Sequence, residues 1–424
     1  MHESYLRWQE MSVKNALETR RILILAGSRQ CGKTTLARML SVDHSIYRTL
    51  DDLTLLRAAQ ADPQGFVRHG NELMIIDEIQ RIPDLLQAIK QDVDDNQRPG
   101  RFLLTGSANI QSLPTVKESL AGRSRKIHLR PLAVGEIYGN PPRFIAQAFA
   151  GKFYPAKPQA GSQKIPKDQN GKYDKDSYLS YAMRGGYPEA RKLNSDKAMR
   201  SWHKDYLQAM IERDLKDITN IRRKDAMMKM IQVLAAWSAK FMDIASICKS
   251  LALARPTVDS YINALETLYL IERVKPWHKT DYGRIGKQEK IFMTDSGMMT
   301  AILKWRFDQI RFNGEINGKL IETFVFNQLA AILDAQEDDY ALYHYRDREK
   351  REVDFVVEDP DGALLGIEVK AGSAVDKSMF KHLQWFARHM AKDKPFKGIV
   401  LYTGEHAVSF GDNLWAVPIS CLWS

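Results

Sequence analysis

Residues 27–35 read Gly-Ser-Arg-Gln-Cys-Gly-Lys-Thr-Thr and follow the apolar run Ile22-Leu23-Ile24-Leu25-Ala26. The spacing Gly-x4-Gly-Lys-Thr between a predicted buried strand and a predicted helix over 35–40 is the arrangement of a phosphate-binding loop. Glycine lets backbone N–H groups turn inward around phosphate oxygens, and a helix N-terminus adds partial positive charge. Gly27, Gly32 and Thr35 shape such a cradle, Lys33 reaches the terminal phosphates, and the Thr34 hydroxyl suits Mg²⁺. The expected ligands are ATP and Mg²⁺. The expected scaffold is an α/β sheet with this loop at the carboxyl end of a strand.

The chain has 424 residues, room for about three domains of ordinary size. Its 44% hydrophobic and 27% charged residues are those of a globular protein. A net charge of +10 and a pI near 9.2 favour a polyanionic partner without requiring one. Cys31, Cys248 and Cys421 lie far apart and lack metal-ligand spacing, which suits a reducing compartment. The N-terminus has no apolar signal core, and no apolar run is long enough to span a bilayer, so a cytoplasmic protein without membrane contact is expected.

Further along, Leu73-Met74-Ile75-Ile76 predicts a buried parallel strand ending in Asp77-Glu78. Another apolar strand runs into Thr105-Gly106-Ser107, where Thr105 or Ser107 can meet a γ-phosphate or its water. A helical piece closing at Ser119–Arg123 and a strand over 126–129 come next. This order resembles the AAA-type P-loop ATPases. The resemblance implies that Asp77 holds Mg²⁺ with Thr34, that Glu78 is the general base, and that Ser107 assists at the phosphate. It also implies an arginine reaching a neighbouring subunit's nucleotide. Arg123 is the candidate, Arg125 the runner-up, and a purely structural arginine the competing reading.

Residues 151–176 alternate Pro and Gly with Lys and predict a basic flexible insertion, solvated or touching nucleic acid. A lid-type helix is expected over 202–217, with Tyr206, Met210 and Ile211 inward. Residues 224–293 look like a winged helix-turn-helix. Helices are expected over 225–238, after the N-cap Asp243, and from Arg255-Pro256, followed by strands over 271–275 and 290–294. On the third helix Val258, Tyr261, Ile262, Leu265 and Leu268 face inward. Arg255, Thr257, Ser260 and Asn263 then face outward, where a recognition helix meets DNA, and Lys279, Arg284 and Lys287 form a basic wing. Packing against protein is the alternative use of such a module.

In the last hundred residues Glu352-Val353-Asp354-Phe355 and Ile367-Glu368-Val369-Lys370 predict two strands around Asp359-Pro360-Asp361-Gly362. Glu368 and Lys370 share a face by alternation. Asp354 joins them if it lies opposite Glu368, which requires the three-residue loop 360–362. Proline opening that loop and glycine closing it fit a type I turn with a left-handed glycine bulge. With Glu322 on an upstream helix, the pattern resembles the restriction-endonuclease-like nucleases. That likeness implies Mg²⁺ held by Asp354, Glu368 and Glu322, with Lys370 orienting or deprotonating water. Many members of that fold bind without cutting, so cleavage and binding both stand open.

Nearly the whole chain resembles a prokaryotic family that joins an AAA-type ATPase to a winged helix and a nuclease-like C-terminal domain. Ile-Ile-Asp-Glu-Ile-Gln (75–80), Leu-Thr-Gly-Ser-Ala (104–108), Leu-Ala-Gly-Arg (120–123) and Gly-Gly-Tyr-Pro-Glu (185–189) carry the likeness with the phosphate loop and the two C-terminal motifs. Ser28 and Cys31 depart from the family's usual proline and aliphatic residue, and neither removes a phosphate ligand. The implied architecture is an α/β ATPase core (1–140), a basic insertion (141–177), a helical lid (178–223), a winged helix (224–310) and a restriction-endonuclease-like domain (311–424). The implied function is ATP-driven remodelling or processing of DNA, branched DNA included, by a homo-oligomer, with a hexameric ring as one form. The alternative is a nucleotide-controlled signalling or assembly switch with the C-terminal domain as a protein-binding module.

Overall fold

The structure, a computed structural model, describes residues 5–41, 45–106, 120, 122–154, 173–218, 224–280 and 288–424. The chain divides into two compact units, one of Leu6–Pro131 with Leu265–Tyr269, the other chiefly of Leu132–Ala264 and Leu270–Ser424.

The smaller unit is built on five parallel strands, β1 (Ile22–Ala26), β2 (Ile46–Thr49), β3 (Met74–Asp77), β4 (Phe102–Gly106) and β5 (Ser124–His128), in the order β2-β3-β4-β1-β5. β1, β3 and β4 are apolar runs because both of their faces are covered. Alternation divides the core. Leu23 and Leu25 pack with Val13 and Leu36 on one face, while Ile22 and Ile24 pack with Leu85, Ile89 and Val93 on the other. Strand order sets β4 between β1 and β3, so their carboxyl ends lie side by side.

The larger unit holds a nine-stranded sheet ordered β13-β14-β12-β11-β10-β9-β7-β8-β6. Its strands are β6 (Lys240–Phe241), β7 (Ile271–Pro276), β8 (Lys290–Met293), β9 (Ala341–Arg346), β10 (Glu352–Glu358), β11 (Leu364–Lys370), β12 (Phe396–Tyr402), β13 (Val408–Ser409) and β14 (Leu414–Pro418). Helix Lys224–Ala236, β6, helices Ile244–Leu251 and Arg255–Thr267, then β7 and β8 follow in sequence. β8 pairs antiparallel with both β6 and β7. Asp243 caps its helix by accepting the Ser246 N–H, and Val258, Tyr261, Ile262 and Leu265 are buried as their periodicity requires. A short parallel pairing, Lys275 with Tyr343 and Pro276 with His344, continues this sheet into the C-terminal strands.

Between β10 and β11 the register puts Phe355 opposite Ile367 and Val356 opposite Gly366, the alignment that the three-residue loop demands. Asp359 accepts the Gly362 N–H at 3.0 Å, and Gly362 sits at φ +82°, so the turn is the glycine-closed one expected from sequence. Helix Gly314–Asp334 buries Leu320, Ile321, Phe324 and Phe326, and Phe326 stacks on Phe292 of β8 at 4.3 Å.

Two stretches differ from the sequence reading in extent. The segment expected as a basic insertion from 141 begins with helix Phe144–Ala150, whose Phe144, Ile145 and Ala148 are buried apolar residues that hold it in place. Residues 155–172 of that segment lie outside the described part. The lid-type helix spans Asp196–Ile218, longer than expected, with Tyr206, Met210 and Ile211 buried.

Where Gly185-Gly186-Tyr187-Pro188 breaks the helical run, Asp295 organises the chain. Its carboxylate accepts N–H groups from Met298 at 2.7 Å, capping helix Ser296–Ile302, and from Gly186 at 2.6 Å. A Cβ on Gly185 would lie 2.3 Å from Asp295 Oδ1, and one on Gly186 would lie 2.3 Å from the Leu132 carbonyl. Glycine is required at both for that close approach.

Candidate nucleotide site and a second acidic centre

The carboxyl end of β1 opens into the glycine loop. Gly27 has no room for a side chain, since a Cβ there would lie 2.1 Å from the Leu129 carbonyl oxygen. Gln30 at φ 56° and Gly32 at φ 105° take left-handed conformations, which turn the loop back toward its own centre. Lys33 is buried and donates to the carbonyls of Gly27 at 2.9 Å and Ser28 at 2.7 Å. Arg7, also buried, braces the loop from outside by donating to the Cys31 carbonyl at 2.6 Å and the Arg130 carbonyl at 2.7 Å. No local sequence pattern marks Arg7 for this task, because its partners lie far along the chain.

Asp77, at the tip of β3, gathers three hydroxyls. Thr34 donates to it at 3.0 Å and Tyr47 at 2.8 Å, and Thr105 from the tip of β4 is the third. Burial pushes the Tyr47 phenol up to about 12 against the opposing Arg38 hydrogen bond, so it remains a donor toward Asp77. Glu78, the next residue, sits in the left-handed region at φ 59° and ψ 43°. Its N–H donates to Thr105 Oγ1 at 3.3 Å, and Gln80 donates to its carboxylate. The donor set of Thr34 and Asp77 is all oxygen, as Mg²⁺ demands. With Lys33 and the inward-turned loop beside it, the residues present fit ATP and its metal ion.

Thr35 begins the helix with Lys33 and Thr34. Ser107 lies outside the described residues. Arg123 stands at the amino end of β5, the opposite end of the sheet from the glycine loop, because Ser124 pairs with Ile22. Its guanidinium grips Asp94 through two hydrogen bonds, at 2.5 and 3.0 Å.

In the larger unit Arg255 and Ser260 are exposed and Thr257 is half-buried on helix Arg255–Thr267. Arg255 lies 3.8 Å from Asp259 one turn on. Lys279 is exposed, and Arg284 and Lys287 lie outside the described residues.

The acidic residues of the C-terminal half do come together. Glu322 from helix Gly314–Asp334, Glu352 and Asp354 from β10, and Glu368 and Lys370 from β11 share one buried or half-buried centre. The Val369 N–H donates to Asp354 at 2.8 Å, which ties the two strands beside Glu368, and Lys370 pairs with Glu368 at 2.9 Å. A residue that the motifs do not include stands in the middle. Lys290 of β8, 1% exposed, places Nζ 2.5 Å from Glu322, 2.8 Å from Glu352 and 3.4 Å from Asp354. Burial works to lower the Lys290 pKa, but those three carboxylates outweigh it and hold the ammonium charged. Burial also pushes Glu322 and Glu368 upward, with their lysine partners opposing it, as expected where four carboxylates face two lysines. Among the described residues no group of three or more His, Cys, Asp or Glu has the arrangement of a metal site.

Comparison with known proteins agrees with the first of these centres. Residues 19–138 match a family model described as an AAA domain, residues 175–309 a domain of unknown function (DUF8612), and residues 317–422 another domain of unknown function (DUF4143). Over 419 residues the chain is 28% identical to the uncharacterized proteins Rv2008c of Mycobacterium tuberculosis and Mb2031c of Mycobacterium bovis, covering 96% of this chain and 82% of each relative. Among solved structures, the Thermotoga maritima RuvB Holliday junction branch migration motor matches at 16% identity, 62% of this chain, 88% of its own and a TM-score of 0.27. The Saccharomyces cerevisiae Hsp104–ADP complex matches at 14%, 78%, 46% and 0.29. Superpositions this loose say nothing of substrate. No helix among the described residues is long and apolar enough to cross a membrane. Over residues 19–138, which contain the glycine loop, Asp77 and Glu78, the chain carries an AAA-type ATPase domain.

Proposed function

We propose that this is an ATP-hydrolysing AAA-type protein that binds and remodels or processes DNA, branched forms included. The observation that carries the reading is the convergence of Lys33, Thr34 and Asp77 at the carboxyl edge of the parallel sheet. When bound, ATP brings the phosphoanhydride whose cleavage releases free energy, and Mg²⁺ offsets the charge of its phosphates. Lys33 would exchange the Gly27 and Ser28 carbonyls for phosphate oxygens. Thr34 and Asp77 would hold the metal ion, with Gly27, Gly32 and Thr35 forming the cradle. Glu78 would accept the proton of the attacking water on its carboxylate. Ser107 is proposed to assist at the phosphate, and Arg123 to serve a neighbouring subunit of a homo-oligomer once released from Asp94.

The DNA half of the proposal rests on the net charge of +10 and on the order of the described elements between 224 and 293, which we read as a winged helix. Arg255, Thr257, Ser260, Lys279, Arg284 and Lys287 are the proposed contacts. The C-terminal strands and helix Gly314–Asp334 are read as a restriction-endonuclease-like module. In that reading Glu322, Asp354 and Glu368 are the metal ligands and Lys370 the group beside the water. Lys290 stands among those carboxylates, so cleavage is left out of the proposed function.

Steady-state phosphate release, measured with no DNA, duplex DNA and four-way junctions, tests the proposal. DNA is expected to raise turnover several-fold, and Lys33→Ala to abolish turnover in every arm. Turnover indifferent to all DNA forms would favour the nucleotide-controlled assembly switch. Sequence-specific binding that survives Lys33→Ala would favour a transcriptional regulator.

A further inference from the structure

The acidic centre of the C-terminal half has the residue types of a divalent-metal site but already holds a cation of its own. Three carboxylates converge on one ammonium at 2.5, 2.8 and 3.4 Å. That ammonium is almost wholly shielded from solvent, and it comes from β8, a strand of the same nine-stranded sheet separated from β10 by β9 and β7. Mg²⁺ needs oxygen ligands at about 2.1 Å in a near-octahedral shell. Glu322 and Asp354 cannot supply them while Lys290 Nζ lies between. The neighbouring pair leaves one gap, since Glu368 Oε2 is spent on Lys370 while the buried Glu368 Oε1 has no hydrogen-bond partner.

We propose that Lys290 is a resident cation standing in the place of a metal ion, so that the cluster of Glu322, Glu352, Asp354 and Glu368 is a closed ion-pair network with a latent divalent site beneath it. Two consequences follow from the chemistry. Mg²⁺ or Mn²⁺ does not bind this centre in the wild-type chain, and metal-dependent phosphodiester cleavage is not among its activities while Lys290 is seated. The network also fixes β8 against β10 and helix Gly314–Asp334, because removing one partner of a buried pair leaves the others uncompensated. This deepens the nuclease-like reading of the same residues, yet its test needs neither DNA nor ATP turnover.

The experiment is Mn²⁺ binding by electron paramagnetic resonance on the full chain without nucleotide, in an Asp77→Asn background that removes the first site. The background protein is expected to show no Mn²⁺ site that Asp354→Asn abolishes. Adding Lys290→Met is expected to create such a site, with affinity raised on the order of 100-fold through loss of the competing buried charge. A tight site in the background protein that Asp354→Asn removes would overturn the proposal, as would a folded Lys290→Met variant that gains none. If Lys290→Met alone does not fold, Lys290→Met with Glu322→Gln and Glu352→Gln removes the charges together, leaving Asp354 and Glu368 to bind. The background measurement decides the first claim whatever the variants do. Absence of DNA-stimulated turnover would sink the DNA reading and leave this result untouched.

Discussion

Glu78 holds a backbone conformation that costs a side-chain-bearing residue about 1–2 kcal/mol, the left-handed region at φ 59° and ψ 43°. Thr105 helps keep it there by accepting the Glu78 N–H, and the same hydroxyl donates to Asp77. A single threonine thereby fixes both acids at the tip of β3. Strain of this kind gathers where geometry is needed for chemistry. Glu78→Gly relieves the strain but gives back part of the gain as backbone entropy. It is expected to stabilise the protein by about 0.5–1 kcal/mol while lowering turnover roughly 10²- to 10⁴-fold. Urea unfolding and phosphate release on the same variant check both halves. A Glu78→Gly protein less stable than wild type would show that the conformation carries no cost.

Among the elements, the joint around Asp295 has a pH dependence of definite sign. His203, on helix Asp196–Ile218, is buried with Nδ1 donating to the Met199 carbonyl at 3.0 Å and Nε2 3.7 Å from Asp295. Burial lowers its pKa from the ordinary 6.5, with Asp295 opposing. The unfolded chain therefore takes up the proton first as pH falls. The stability this site contributes is whole above about 6.5 and is lost as pH drops toward and through the lowered value. Between pH 7.5 and pH 5 wild type is expected to lose more of its denaturation midpoint than His203→Gln. Equal losses would mean that His203 is protonated alike in both states.

Elements also show what could be read in advance. The β10–β11 register followed from three adjacent residues, Pro360, Asp361 and Gly362, because turn conformation is decided locally and strand alternation carries it outward. The buried stripe of Val258, Tyr261 and Ile262 was legible for the same reason. Lys290 was not. Its partners Glu352 and Asp354 are 62 and 64 residues away, and a lysine in a short strand reads as a solvent-facing charge until pairing brings acids to it. Arg7 escaped in the same way, bonded to a carbonyl 123 residues on. Polar contacts over such separations leave no periodic trace.

For the whole molecule, two compact units carry different ligands in the proposed function, and linkage makes that measurable. Free ATP at about 100 times its dissociation constant adds about 2.7 kcal/mol to whatever unit binds it. Calorimetric unfolding with Mg²⁺ and ATP is expected to move the transition of the smaller unit upward, and Lys33→Ala to cancel the movement. A shift that persists in Lys33→Ala would place the nucleotide elsewhere.

The pairing of Lys275 and Pro276 with Tyr343 and His344 bears on how the gene can be cut. A shortened clone starting after the helix-rich middle would shear β9 from its neighbour and bare a strand flank open to self-association. It would also strip Glu322, Glu352 and Asp354 of their shared counter-ion, Lys290. The stretches that sequence profiles separate near residue 310 are therefore one folding partner pair, and dissection should keep both sides of that seam on a single polypeptide.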